Sequence, residues 1–318
     1  MKIIQFLKLA EIQTKVASMT PLFVATFYTL YYYEIFDLKN FVLIFVSLLC
    51  FDMATTVLNN YYDYVKALKT EGYGYEDHNA IVKYNLSAST VRKTLLVLLV
   101  TAISTGMALF INTHPLTLLI GCGAFLVGIF YSFGPVPISR TPLGEIFSGF
   151  VMGFFITFLG VFIHIHEFDP VSFGFDTRFL TMNLDMDFLA RIIIVSWPSI
   201  IGIGNIMLAN NICDIEEDIE NKRYTLPIYI GKKKALWIFE NSYYTAYVAV
   251  LMGVFSETLP LLSLLMFPTI KLLRKNIAAF KKLQTKKDTF SLSIKNFLLL
   301  DGSLLLTLLV SLILDKFI

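Results

Sequence analysis

Charge is scarce in this 318-residue chain: Asp, Glu, Lys and Arg make up 16% of it, against about 25% in an ordinary soluble domain. Apolar residues fill 56% and the mean hydropathy is +0.68, so a soluble fold is excluded and a membrane protein is expected. Cysteine is nearly lacking. Cys50, Cys122 and Cys213 lie in or at the end of apolar runs with no CxxC spacing, which argues against a disulfide framework or a zinc site. They read as small hydrophobes. Of four histidines, His164 and His166 stand two apart and project to different sides of a helix, so a solvated outer loop is the plainer reading there. His78 and His114 form no pattern. A net charge of only +2 suggests no nucleic-acid partner.

Long apolar runs are what the chain does have. Nine of them approach the roughly 20 residues needed to cross hydrocarbon, over about 20–36, 41–58, 94–111, 116–133, 144–165, 190–210, 235–255, 257–272 and 296–315. The fold expected is an all-α integral membrane protein. With the N-terminus inside, 22 Lys and Arg fall on the cytoplasmic side and only Lys39, Arg178, Arg191 and Lys316 outside, a bias that sets the orientation. Residues 1–18 carry Glu11, Gln13 and Lys15 within the apolar run and no small-residue cleavage site. They are expected to form an amphipathic surface helix rather than a signal peptide. The acidic and aromatic segment from Glu167 to Asp187 is expected as an outer loop.

Two short stretches echo each other at span ends on the cytoplasmic side: Asn59-Asn60-Tyr61-Tyr62-Asp63 and Asn210-Asn211-Ile212-Cys213-Asp214, the second continuing to Glu216, Glu217 and Asp218. A charge at the membrane centre costs roughly 2.5–3.5 kcal/mol on insertion scales, less near the interface. Two such clusters therefore argue for a shared polar ligand. On a helix Asn59 and Asp63 point the same way, as do Asn210, Asp214 and Asp218, with Asn211 one turn before Asp214. Like carboxylates at that spacing repel, and a divalent cation removes the conflict. Oxygen-only ligands favour Mg²⁺, which uses one or two carboxylates and takes the rest from water and phosphate. The metal candidates are Asn59, Asn60, Asp63, Asn211, Asp214, Glu217 and Asp218, and the implied substrate is a diphosphate. Basic residues follow each cluster, Lys66, Lys69 and Lys83 after the first and Lys222 with Arg223 after the second. With Asn59, the residues Lys66, Lys83, Lys222 and Arg223 are the diphosphate-binding candidates, Arg223 by its bidentate fork. Each also serves the positive-inside pattern.

These stretches, with Asn221-Lys222-Arg223-Tyr224-Thr225-Leu226-Pro227, resemble the two aspartate-rich motifs of UbiA-type intramembrane prenyltransferases. The Asn-x-Tyr-Tyr-Asp-Tyr form and the Thr-Leu-Pro continuation are most similar to the MenA-like branch, the 1,4-dihydroxy-2-naphthoate polyprenyltransferases. Tyr131 to Pro135 and Thr141 to Glu145 look like that family's loop between the fourth and fifth helices. The resemblance implies one membrane domain over residues 1–318, about nine transmembrane helices around a central lipid-open cavity, and both motifs converging at the cytoplasmic face of the cell membrane. It implies Mg²⁺ as cofactor and a polyprenyl diphosphate whose allylic cation is attacked by an aromatic carbon. In that branch the acceptor loses its carboxyl group as carbon dioxide, giving demethylmenaquinone. Asp63, Asp214, Asp218 and Tyr131 are then the catalytic candidates, Tyr131 as an aromatic face for the cation.

The chain departs from the family pattern in its first motif. Asn60 stands where an acid is usual, and Lys69 where a second Asp is usual. Glu71, Glu76 or Asp77 in the following Gly- and Tyr-rich segment could supply the missing charge, or Lys69 could replace a cation. Other acceptors such as 4-hydroxybenzoate stay open. A transporter would place its polar site near the midplane on broken helices rather than at basic cytoplasmic ends. A CDP-alcohol phosphotransferase would need an Asp-Gly-x-x-Ala-Arg signature, which this chain lacks.

Overall fold

The computed structural model describes residues 1–66, 79–132, 134 and 137–315. Its helices in chain order are α1 (Ile3–Leu9), α2 (Val16–Tyr32), α3 (Leu38–Lys66), α4 (Ala80–Lys83), α5 (Ala88–Asn112), α6 (Pro115–Ser132) and α7 (Gly144–Ser148). A π-helical segment (Gly149–Phe155) leads into α8 (Ile156–Ile165), followed by strands β1 (Val171–Phe175) and β2 (Leu180–Leu184). Then come α9 (Met186–Cys213), α10 (Ile215–Glu220), α11 (Leu226–Ile230), α12 (Lys232–Phe255), α13 (Ile270–Lys282) and α14 (Ser291–Asp315).

Among the described residues, five helical stretches are long and apolar enough to cross a bilayer: Leu38–Val65, Ala88–Asn112, Gly144–Phe168, Met186–Cys213 and Ser291–Leu314. The other four expected spans meet shorter or more polar elements. The 20–36 run falls on the 17-residue α2, the 116–133 run on the short apolar α6, and the 235–255 run on α12, which opens with Lys232, Lys233 and Lys234. The 257–272 run becomes a 3₁₀ helix over Leu261–Thr269 that hands over to α13 at Pro268, a residue with no N–H to give.

The contacts group the chain into two compact units, Met1–Met19 with Leu38–Gly121, and Thr20–Asp37 with Cys122–Ile318. In the first, α3 packs along α5, and Leu9, Ala10, Met53, Ala54, Val57, Ile81, Val91 and Leu98 form one buried cluster. The amphipathic helix expected over residues 1–18 is broken. Glu11 adopts a left-handed conformation (φ 48°) between α1 and a 3₁₀ turn over Ile12–Lys15. The break lets Leu9 and Ala10 enter the core and sends Lys15 inward. Its Nζ lies 2.7 Å from Asp52 Oδ1 and donates to Thr56 Oγ1 at 2.7 Å, and Ser18 donates to Asp52 Oδ2 at 2.5 Å. A buried ammonium is tolerable only with such partners.

In the second unit α9 is the hub, packed by α7, the π segment, α12 and α14. Glycine makes the closest approach possible. A Cβ on Gly153 would sit 2.5 Å from Ile200 N, and one on Gly149 2.6 Å from Ile200 O. Two polar side chains of α9 bond across helices: Asn205 donates to Ser242 at 2.8 Å, and the buried Ser199 donates to Asp301. The segment expected as an outer loop instead forms an antiparallel hairpin with Val171 opposite Leu184 and Phe173 opposite Met182. Its period-2 alternation of Val171, Phe173, Phe175 and Leu180, Met182, Leu184 is the strand signature. Asp185 caps α9 by accepting from the N–H of Asp187 and of Phe188. His164 is buried, its Nδ1 accepting the Asp37 N–H at 3.0 Å, while His166 Nδ1 faces the Ile163 carbonyl.

Candidate functional site

The second cluster is built by a helix that breaks and a turn that doubles back. α9 ends at Cys213, Asp214 occupies the joint (φ −103°, ψ 9°), and α10 restarts at Ile215 while Asp218 N still donates to Asp214 O at 2.7 Å. Asp214 and Asp218 thus stay one turn apart, 7% and 1% exposed. After α10, Lys222 takes a left-handed conformation (φ 52°), and the Arg223 N–H returns to the Asp218 carbonyl at 2.8 Å, a Schellman-type stop. That turn brings the Arg223 guanidinium to 3.2 Å from Asp218 Oδ1. Thr225, fully buried, donates to Asp218 Oδ2 at 3.2 Å, and Pro227 sits in the first turn of α11, where a missing N–H is harmless. The Thr225-Leu226-Pro227 stretch therefore serves Asp218.

Each carboxylate already holds a cation. Asp214 Oδ2 lies 2.6 Å from Lys286 Nζ and accepts from Asn210 Nδ2 at 3.3 Å. Lys286 stands on a tight turn between α13 and α14 in which Thr285 Oγ1 donates to Asp288 and Thr289 Oγ1 to the Leu283 carbonyl. Burial pushes the Asp218 carboxyl up from its ordinary range, opposed by Arg223 and the Thr225 hydroxyl. This site offers oxygen donors, which suit a hard cation such as Mg²⁺. Among the described residues no three Asp, Glu, His or Cys gather closely enough to enclose a metal by themselves. A cation here takes its remaining ligands from elsewhere, as Mg²⁺ does from water and phosphate.

The other predicted residues are placed as follows. Asn211 is fully buried and donates to Glu145 Oε1 at 2.8 Å. Glu217 and Lys222 are exposed, and Tyr131, at the end of α6, buries a hydroxyl that finds no well-formed hydrogen bond. In the first unit Asn59 and Asp63 are exposed on the last turns of α3, and Lys83 is exposed at the end of α4. Asn60 points the other way. Its Nδ2 donates to the Leu9 carbonyl at 3.1 Å and to Glu11 Oε1 at 3.2 Å, and its own carbonyl accepts from Asn79 Nδ2 at 3.0 Å. That amide donor group is committed to holding α1 and α4 against α3. The Lys66 side chain, Lys69, Glu71, Glu76, Asp77 and His78 lie outside the described residues.

Residues 18–299 match the UbiA prenyltransferase family. The chain belongs to that family. It is 32% identical over 244 residues to a 1,4-dihydroxy-2-naphthoate octaprenyltransferase of Bacillus subtilis (strain 168), covering 76% of this chain and 71% of that one. Solved structures agree in fold. An apo UbiA homologue from Aeropyrum pernix K1 superposes with a TM-score of 0.66 at 16% identity, covering 92% of this chain and 98% of its own. A UbiA homologue from Archaeoglobus fulgidus bound to GPP and Mg²⁺ gives 0.61 at 14% identity, covering 97% and 99%. This UbiA-family chain is thus a multi-pass membrane protein. Two of its site residues escaped the motif pattern. Glu145 sits in the loop stretch already noted but carries no aspartate-motif spacing, and Lys286 is one of several loop lysines that only its 2.6 Å contact singles out.

Proposed function

We propose that this chain transfers a polyprenyl group from its diphosphate to 1,4-dihydroxy-2-naphthoate, with loss of the carboxyl group as carbon dioxide, forming demethylmenaquinone for menaquinone biosynthesis. The observation that carries this reading is the pair of buried carboxylates Asp214 and Asp218, one turn apart and each facing a basic side chain. The Bacillus relative's name supports the acceptor. Mg²⁺, when bound, would neutralise the diphosphate as the allylic carbon–oxygen bond breaks. Asp214 and Asp218 would hold that ion, and the first motif's Asn59 and Asp63 are its further candidates on the sequence pattern alone. Asn60 is anchored through Nδ2 to Leu9 and Glu11, so only its Oδ1 could serve a cation.

Arg223 and Lys286, which face those carboxylates, would meet the phosphate oxygens where charge grows in the transition state, with Lys222, Lys83 and Lys66 as further candidates from the sequence pattern. The Tyr131 ring stabilises the allylic cation by its face. The distribution of Lys and Arg supports a cytoplasmic orientation of both motifs.

Purified protein with Mg²⁺, a polyprenyl diphosphate and either dihydroxynaphthoate or 4-hydroxybenzoate tests this, with product mass as the readout. A prenylated, decarboxylated naphthalenediol is expected. Prenylated 4-hydroxybenzoate alone would replace the acceptor, and no prenylated product with either would remove the reading.

A further inference from the structure

The diphosphate chemistry leaves one group of buried polar atoms unused, where α7 meets α9. Glu145 is 6% exposed and Asn211 fully buried. Because a carboxylate oxygen accepts, the 2.8 Å bond from Asn211 Nδ2 to Glu145 Oε1 fixes which end of the amide faces Glu145. The amide oxygen faces away. Asn211 Oδ1 and Glu145 Oε2 are both buried without a hydrogen-bond partner, and Tyr131 Oη, which has Ser148 beside it, stands 3.8 Å from where a Cβ on Gly144 would lie. Glu145 is within electrostatic reach of Tyr131 and of Asp218, and Tyr131 of Arg223, so the group adjoins the second motif. Native folds leave very few buried polar atoms unpaired, and two together ask for a ligand.

We infer that Glu145 and Asn211, with Tyr131 beside them, form the subsite that receives the hydroxyl group of the aromatic acceptor. Both unmet atoms, a carboxylate oxygen and an amide oxygen, are hydrogen-bond acceptors. A diphosphate offers no donor to them and is repelled by the carboxylate, whereas a phenol presents an O–H. Tyr131 Oη both donates and accepts, so it can serve a second oxygen of the same ring. As a ring carbon attacks the prenyl cation, the phenolic O–H becomes more acidic and its bond to Glu145 strengthens, which favours the transition state over the ground state. Glycine places the subsite. Gly149 and Gly153 let the π segment touch α9 at Ile200. π segments of this kind are frequent at functional sites.

This inference rests on the prenyl-transfer reading, and its test separates the two. The full chain in detergent is assayed with Mg²⁺ and both substrates, as wild type and as Glu145→Gln, which keeps the shape but replaces an acceptor oxygen by a donor. The acceptor KM should rise roughly tenfold or more, while the prenyl diphosphate KM and the affinity for inorganic pyrophosphate with Mg²⁺, measured by calorimetry, stay within about twofold. On the wild type alone, a naphthoate methylated at the bound hydroxyl should inhibit at least about tenfold more weakly than one with the hydroxyl free.

If Glu145→Gln instead weakens Mg²⁺-pyrophosphate binding and leaves the acceptor KM unchanged, these oxygens belong to the metal site and the subsite is refuted. Equal inhibition by methylated and free naphthoates overturns it even if Glu145→Gln fails to fold. Wild-type protein that transfers no prenyl group would bring down the functional reading itself.

Discussion

Replacing Gly153 by alanine tests how the helices deliver the site. The added Cβ would lie 2.5 Å from Ile200 N and 2.7 Å from its Cα, where carbon contacts prefer about 3.5–4.0 Å. Both neighbours are backbone and cannot rotate aside. The π segment must therefore retreat from α9 by roughly 1 Å, an overpacking that costs about 1–3 kcal/mol. Carried along to α7, the same shift stretches the 2.8 Å bond between Asn211 and Glu145 past hydrogen-bond range. A displacement of that size at a reacting centre can cost about a hundredfold in rate.

Thermal unfolding in detergent and the rate of prenyl transfer measure the two effects separately. Two controls bracket them. An added Cβ on Gly204 meets its nearest neighbour at 3.4 Å, and one on Gly302 meets nothing within 4 Å. Both alanines should be neutral or slightly stabilising, since alanine is favoured over glycine in a helix by about 1 kcal/mol. If Gly153→Ala melts and turns over like the wild type, the account of this contact is wrong.

Other substitutions probe the carboxylates and the first unit. Asp214→Asn and Asp218→Asn should each lower the transfer rate by about 100-fold or more with the protein still folded and membrane-inserted; near-normal rates in both would defeat the assignment. Asn60→Asp restores the acid usual at that motif position yet should destabilise the protein by about 1–3 kcal/mol, because it removes donors to Leu9 and Glu11 and sets two carboxyls together. Adding Glu11→Gln should recover part of the loss in the melting curve, and no recovery would show that Glu11 is not the opposing group. Lys15→Met should cost about 1–3 kcal/mol by leaving the part-buried Asp52 without its cation. The double variant Lys15→Met with Asp52→Leu should melt higher than the single one if the pair is the cause.

Much of this protein is legible in one dimension because the bilayer and the diphosphate both impose local rules. A span must be apolar over its whole length, so the runs at 41–58, 94–111, 144–165, 190–210 and 296–315 correspond to the five long apolar helices. The second motif, with Asp214, Asp218, Arg223 and Thr225, lies within one helical turn and one reverse turn, so its spacing carries its geometry. Even the hairpin was written in the alternation from Val171 to Leu184, masked by the acidic and aromatic side chains around it.

What lay beyond the sequence depends on residues far apart along the chain. Asn60 reads as a motif residue in the sequence, and only the fold shows its Nδ2 held by Leu9 and Glu11, some fifty positions earlier. Glu145 gains meaning only against Asn211, 66 positions on, and Lys286 only against Asp214. Composition and periodicity determine that a helix crosses the membrane and which face is polar, since those are sums over neighbours. Which polar atom finds a partner, and which stays unmet to receive a ligand, is decided by packing: glycines let two backbones touch, and that contact chooses the pairs.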